Sequence, residues 1–191
     1  DEANSGYATP EDAVHAYLTA MASGELERVL DTMWTRESGL FNQAPELTVQ
    51  LGRYYPAMYA PPGNYELYEQ VQQLMGEADA AQEVMMLALS LLSGADVSEA
   101  LDVPNQAWFD GFARRIDPSR LSELVVVDIG VPYSKTVDAT EYKINTARHM
   151  ERIGANEQTE RVALAMMDGD LFMVGFLLRR YGDEWKVVQL G

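Results

Sequence analysis

The stretch Arg161-Val162-Ala163-Leu164-Ala165-Met166-Met167-Asp168-Gly169-Asp170-Leu171-Phe172-Met173-Val174-Gly175-Phe176-Leu177-Leu178-Arg179-Arg180-Tyr181-Gly182-Asp183-Glu184-Trp185-Lys186-Val187-Val188 decides the fold. Its apolar residues fall into runs of strand length, bounded by turn dipeptides. Arg161 to Met167 reads as one strand, Leu171 to Tyr181 as the next, and Trp185 to Leu190 as the last. Asp168-Gly169 is a strong tight-turn signal. Tyr181-Gly182-Asp183-Glu184 turns the chain again. Working back, Leu124-Val125-Val126-Val127 with Ile129 and Val131 predicts an earlier strand, and Thr140 to Thr146 alternates as another. Short connections between such strands make an antiparallel meander.

The first part of the chain has a different period. Thr9-Pro10-Glu11-Asp12 is a helix start: Thr9 can cap, Pro10 suits the first helical position, and the two acids meet the positive helix end. Val14, Tyr17, Leu18 and Met21 then fall at i, i+3, i+4 and i+7, one apolar stripe. Ser23-Gly24 breaks that helix. A second carries Leu26, Val29, Leu30 and Met33, with Trp34 extending the stripe. Residues 35–63 read as irregular, with Leu47, Val49 and Leu51 as a short strand. Asn64 opens a long helical stretch to Ser93-Gly94, which Gly76 is expected to divide. Met85, Met86 and Leu89 widen its apolar stripe, so it is expected to bury much of its circumference. Pro104 starts a further helix with Trp108, Phe112 and Ile116, ended by Pro118. Helices first and strands afterwards predict an α+β fold with helices on one face of the sheet.

Composition limits the function. The 191 residues suit one domain, and 47% apolar with 23% charged residues is globular composition. Thirty acids against 14 Lys and Arg give a net charge of −16. Nucleic acid and anionic membrane surfaces are therefore poor partners. There is no Cys, which excludes disulfides, thiolate metal sites and Cys nucleophiles. With only His15 and His149, no multi-histidine zinc site is expected. No Gly-x-Ser-x-Gly elbow, Gly-x-Gly-x-x-Gly or Walker loop occurs, so no cofactor is expected. No apolar run approaches the ~20 residues of a membrane span. Between Arg53 and Arg114 there is no Lys or Arg, while acids run from Glu66 to Asp110. That segment reads as a solvated acidic face, or as a docking surface for a basic partner or cations. The small, polar opening Asp1 to Gly6 resembles a tether behind a removed export or lipid-anchor segment. Residues 1–8 are thus expected to be a disordered tether, on a protein secreted or anchored to the envelope of a bacterium.

Both ends of the chain resemble one family. Thr9-Pro10-Glu11-Asp12, Ala13-Val14-His15-Ala16-Tyr17-Leu18, the Ser23-Gly24-Glu25-Leu26 break and Met33-Trp34 look like the opening of the nuclear transport factor 2-like superfamily. Phe176 to Val188 looks like its last hairpin. The resemblance implies a cone, a strongly bent antiparallel sheet wrapped around helices with a pocket at the open end. It covers about 8–35 and 121–191. Residues 36–120 exceed the family's usual middle, so a helical insertion is expected at about 60–118 of a single domain spanning 9–191.

The resemblance also frames an enzyme alternative. Steroid isomerases of this superfamily have an oxyanion-donating Tyr in a Tyr-x-x-Ala-x-x-x-Gly-Asp-Leu stretch, and Tyr17 matches it with Ala20, Gly24 and Leu26. Glu25 replaces the Asp. The expected Asp-Pro base is absent from Thr35 to Leu40, where Glu37 is the nearest acid. The second oxyanion donor falls on Leu177. In the dehydratase branch a His–Asp pair moves the proton, which would need Asp128 to face His149. Strand parity puts Val125, Val127, Ile129 and Val131 on the more apolar side and leaves Asp128 facing water. His15 is expected on a solvent-facing side of its helix. Arg148, Arg161, Arg179 and Arg180 would either bind an anion or pair across strands with Glu141, Glu157 and Glu160.

Ten Met, ten Tyr and three Trp supply adaptable apolar surface. In the cone, Tyr17, Met21, Trp34, Tyr54, Tyr55 and Trp108 would line the mouth around a small apolar ligand. A homodimer through the sheet is the other expected partnership. The reading is a non-catalytic binding or interaction module.

Overall fold

Thr9 does cap the first helix. Its Oγ1 accepts from the Asp12 N–H at 3.1 Å, and Pro10 occupies the first turn. Helix α1 runs Pro10–Ser23 and ends on Gly24, whose φ of +72° lets the chain turn back. The computed structural model describes residues 6–33, 65–93, 116–132, 150 and 154–190. Helix α2 is Leu26–Thr32 and helix α3 is Tyr65–Ser93. A short 3₁₀ helix, Pro118–Glu123, leads into strand β1, Val125–Gly130. Strands β2 (Glu157–Met167), β3 (Asp170–Tyr181) and β4 (Glu184–Leu190) follow.

The four strands form one curled antiparallel sheet in the order β1-β2-β3-β4. The β2–β3 turn has positive φ at both central residues, Asp168 at 54° and Gly169 at 88°, which matches the strands' twist. At the next turn Gly182 takes positive φ, and its N–H donates to Asn156 Oδ1 at 2.6 Å. α1 lies on the inner face. Val14, Tyr17, Leu18 and Met21 pack there with Ala163, Ala165, Phe176, Leu178 and Val187 as one buried cluster. The fold is therefore α+β, with N-terminal helices held by a bent sheet.

Ion pairs fasten the layers. Arg161 Nε donates to Glu11 Oε1 at 2.6 Å, tying β2 to the first turn of α1. Burial pushes the Glu11 carboxyl up, but this bond, a backbone bond and the Arg161 charge together hold it below its usual value. Arg120 donates to the Leu92 carbonyl at the end of α3 and pairs with Asp168 at the β2–β3 turn. Lys186 is buried and donates to the Asp31 carbonyl at 3.1 Å, near the end of α2.

Several expectations are corrected. α3 runs unbroken through Gly76, which is exposed; a lone helical Gly costs only about 1 kcal/mol. Met85 and Met86 are 57% and 58% exposed, so that part of α3 buries one side rather than most of its circumference. α2 stops at Thr32, because Met33 turns extended and bridges to Val187. β2 begins at Glu157, before Arg161: its polar first residues are paired with Arg180 to Leu177 of β3. Tyr7, within the expected tether, bridges to Trp185, whose N–H donates to the Tyr7 carbonyl at 2.9 Å. The expected strands at 47–51 and 140–146 and the helix after Pro104 lie outside the described residues.

Candidate functional site

Two of the six expected pocket residues are described, and both lie in the core. Tyr17 is 0% exposed and Met21 is buried on the same side of α1. The Tyr17 ring meets Phe176 edge-on, with centroids 5.4 Å apart at 74°. Its hydroxyl is buried and has no hydrogen-bond partner among the described residues. Burial raises its pKa, and the Glu83 carboxylate adds to the rise. The hydroxyl thus stays neutral and remains a donor. Glu83, on α3, accepts from the Leu190 N–H at 3.2 Å. Trp34, Tyr54, Tyr55 and Trp108 lie outside the described residues, as do Glu37, His149 and Arg148.

The outer face of the sheet is the larger surprise. Val125, Val127, Val131, Met166, Leu171 and Met173 are all large, apolar and exposed. The strand register explains the grouping: Val125 pairs with Met166, and Met166 with Leu171. In the adjoining row Asp128 pairs with Leu164, and Leu164 with Met173. The expected parity of β1 is thereby corrected. A bulge between Val126 and Asp128 inserts Val127 and shifts the alternation. Val126 and Ile129 are half-buried, while Val125 and Val127, expected on the sheltered side, are exposed. Asp128 is also exposed, as expected, though the bulge is the reason.

Beyond these rows the outer face changes character. Gly130, Val162 and Gly175 form the next row. A trough of about 430 Å³ takes in Val162 and Gly175 of that row and is bordered by Pro132, Glu160, Met173 and Leu177. Further along, Arg179 Nε donates to Gln158 Oε1 at 2.9 Å, while on the opposite, inner face Arg180 pairs with Glu157 at 3.3 Å. So the expected cross-strand pairing holds for Arg180, whereas Arg161 reaches α1 instead. Leu177 lines the trough, and His15 is exposed with Nδ1 3.3 Å from Thr19 Oγ1. Among the described residues, no three His, Asp or Glu side chains converge as metal ligands would. No helix of the described residues is long and apolar enough to cross a membrane. The sequence singled out none of Gly130, Met173 or Gly175; only strand register brings them together.

Comparison with protein-family models finds no match, and comparison with the curated proteins finds none either. Among solved structures the chain is similar to a cystatin-like protein from Ruminococcus gnavus ATCC 29149. The TM-score is 0.55 at 15% identity, over 96% of this chain. This chain spans 37% of that protein's length. At such identity the likeness concerns the fold: a cystatin-like cone, the architecture that the two chain ends resemble.

Proposed function

We propose that this chain is a non-catalytic interaction module that pairs with a second copy of itself through the outer face of its sheet. The observation that carries the reading is the cluster of exposed Val, Leu and Met side chains on three neighbouring strands. Contiguous apolar surface of this kind marks an interaction site. Acids are 30 of the 191 residues, yet Asp128 is the one acid in the two apolar rows. The four strands, of 6, 11, 12 and 7 residues at about 3.3 Å each and about 4.8 Å apart, give a whole outer face of roughly 570 Å², of which the apolar rows are one part. A standard interface takes about 800 Å² from each partner, so the pairing is expected to be weak and concentration-dependent. Light scattering on the eluting full chain tests the reading. A mass rising from monomer to dimer with concentration supports it; a monomer at every concentration contradicts it.

A second reading rests on Tyr17. A neutral hydroxyl inside an apolar core, with no partner among the described residues, is a handle for a small apolar ligand with one acceptor. Met21 would lie beside it, and Trp34, Tyr54, Tyr55 and Trp108 would form the mouth. Native mass spectrometry of protein from its own source should then show extra mass lost on denaturation, absent from Tyr17→Phe. A bare wild-type mass contradicts this. The isomerase or dehydratase alternative has less support, because Glu83, the carboxylate whose charge reaches Tyr17, is engaged by the Leu190 N–H.

A further inference from the structure

We propose that the solvent side of α3 docks a basic amphipathic helix of a partner protein, with Met85 and Met86 covered by its apolar stripe. The two sides of α3 differ. Ala80, Val84 and Leu91 are buried, and Leu87 and Ala88 pack on the same cluster, so one side of the helix meets the core. At about 100° per residue, Met85, Met86 and Leu89 fall on the other side. Met85 and Met86 are more than half exposed, and Leu89 is half-buried beside them. Asp79, Gln82 and Ser90 are exposed on the same side. From Asp79 to Ser90 this stripe is about 16 Å long. A helix surface is convex, so it suits the ridges and grooves of a second helix better than a small molecule, which needs a concave site. Methionine is unbranched and adapts to what is laid on it.

Charge selects the occupant. α3 carries Glu66, Glu69, Glu77, Asp79 and Glu83, and no Lys or Arg in its 29 residues. Asp79 stands in the stripe itself, about two turns from Met86. Arg120 reaches the end of α3, but its guanidinium is engaged by the Leu92 carbonyl and by Asp168. A second copy would bring the same acids against these, so like charge opposes self-pairing through α3. A basic helix has the opposite sign. Its apolar residues at i, i+3, i+4 and i+7 would cover the methionines, while flanking Lys and Arg face the acids of α3. Salt screens that attraction, so the contact weakens with ionic strength. The stripe belongs to α3 alone, so this inference stands apart from the pairing of the sheet.

The probe is a fluorescein-labelled peptide of leucine and lysine, about 14 residues or four turns long, with its leucines at helical spacing. A control peptide of the same composition has them scrambled. Fluorescence anisotropy is read against the full chain at low and high salt. The patterned peptide should bind at least about tenfold tighter than the scrambled one, and more weakly as salt rises. Met85→Gln combined with Met86→Gln should weaken it at least about tenfold. Asp79→Lys should also weaken it and flatten the salt dependence. Met166→Gln combined with Met173→Gln, on the outer face of the sheet, should leave it unchanged. All five positions are exposed, so melting temperatures should hold. Equal binding of the two peptides overturns the proposal, because net charge alone then explains the attraction. A loss confined to the outer-face variant overturns it by moving the contact to the sheet. A patterned peptide that does not bind overturns it outright.

Discussion

Ala163, Ala165, Met167, Phe176, Leu178 and Val187 fill the inner face of the sheet, and none is more than 2% exposed. Val125, Met166, Leu171 and Met173 occupy the outer face of the same strands at 42–76%. The two faces are similarly apolar and differ in what covers them. α1 lies over the inner one, placed by its own apolar stripe and by the Glu11–Arg161 pair. The outer one has two apolar rows, the Gly130–Val162–Gly175 row and then a polar end where Arg179 donates to Gln158. Strand periodicity alone cannot distinguish a face covered by the chain's own helix from one covered by another molecule. Exposure does, and among the described residues it separates a face covered by the chain's own helix from one left open.

The largest contrast should come from Phe176→Ala against Met173→Ala. Emptying the Phe176 site should cost about 3–5 kcal/mol of unfolding free energy. Met173→Ala should change it by less than about 0.5 kcal/mol. Denaturant titration of the two variants at monomer concentrations checks this, and equal losses would break the distinction between the faces. Next comes the turn that sets their register. Gly169 sits at φ +88°, so Gly169→Val should cost on the order of 1–3 kcal/mol by the same titration. An unchanged midpoint would mean that the hairpin does not depend on this turn.

Smaller effects sharpen the inner face. Tyr17→Phe removes a buried hydroxyl with no partner among the described residues, so stability should stay level or rise by up to about 1 kcal/mol. A clear loss by thermal melting would show that the hydroxyl is satisfied in solution. Glu11→Gln should cost about 0.5 kcal/mol near neutral pH, a modest figure because the Glu11 side chain is almost half exposed. Its folded pKa is depressed, so its contribution is complete above the unfolded value. It is lost as pH falls through the lower folded value. Melting curves of wild type and Glu11→Gln should therefore converge in acid; a gap that widens there would refute the pair's role.

Local signals were legible where local physics decides. Thr9-Pro10-Glu11-Asp12 and Gly24 mark the ends of α1, and Asp168-Gly169 marks the β2–β3 turn, because capping and positive φ are properties of a few adjacent residues. The α+β order followed from them, and the cone from the family that the two chain ends resemble. Features that depend on register were not legible. The bulge at Val127 cannot be seen in an unbroken Val-Val-Val run, yet it reverses which side of β1 is sheltered. Arg161 finds Glu11 across 150 positions of sequence. Gly130 and Gly175 join in one row only through Val162. Of the expected pocket, Tyr17 and Met21 lie together in the core, and the four aromatic residues of the mouth fall outside the described residues.

Methionines on both faces and on α3 allow the central claim to be tested within one sample. Met173 and Met166 lie on the outer face, Met85 and Met86 are comparably exposed on α3, and Met21 and Met167 are buried. The measurement is the rate of methionine oxidation at each site, read by mass spectrometry as the concentration of the full chain is raised. The expected result is that Met173 and Met166 become protected while Met85 and Met86 keep their rates. Oxidation of all four at rates independent of concentration would contradict an outer face made for a second copy.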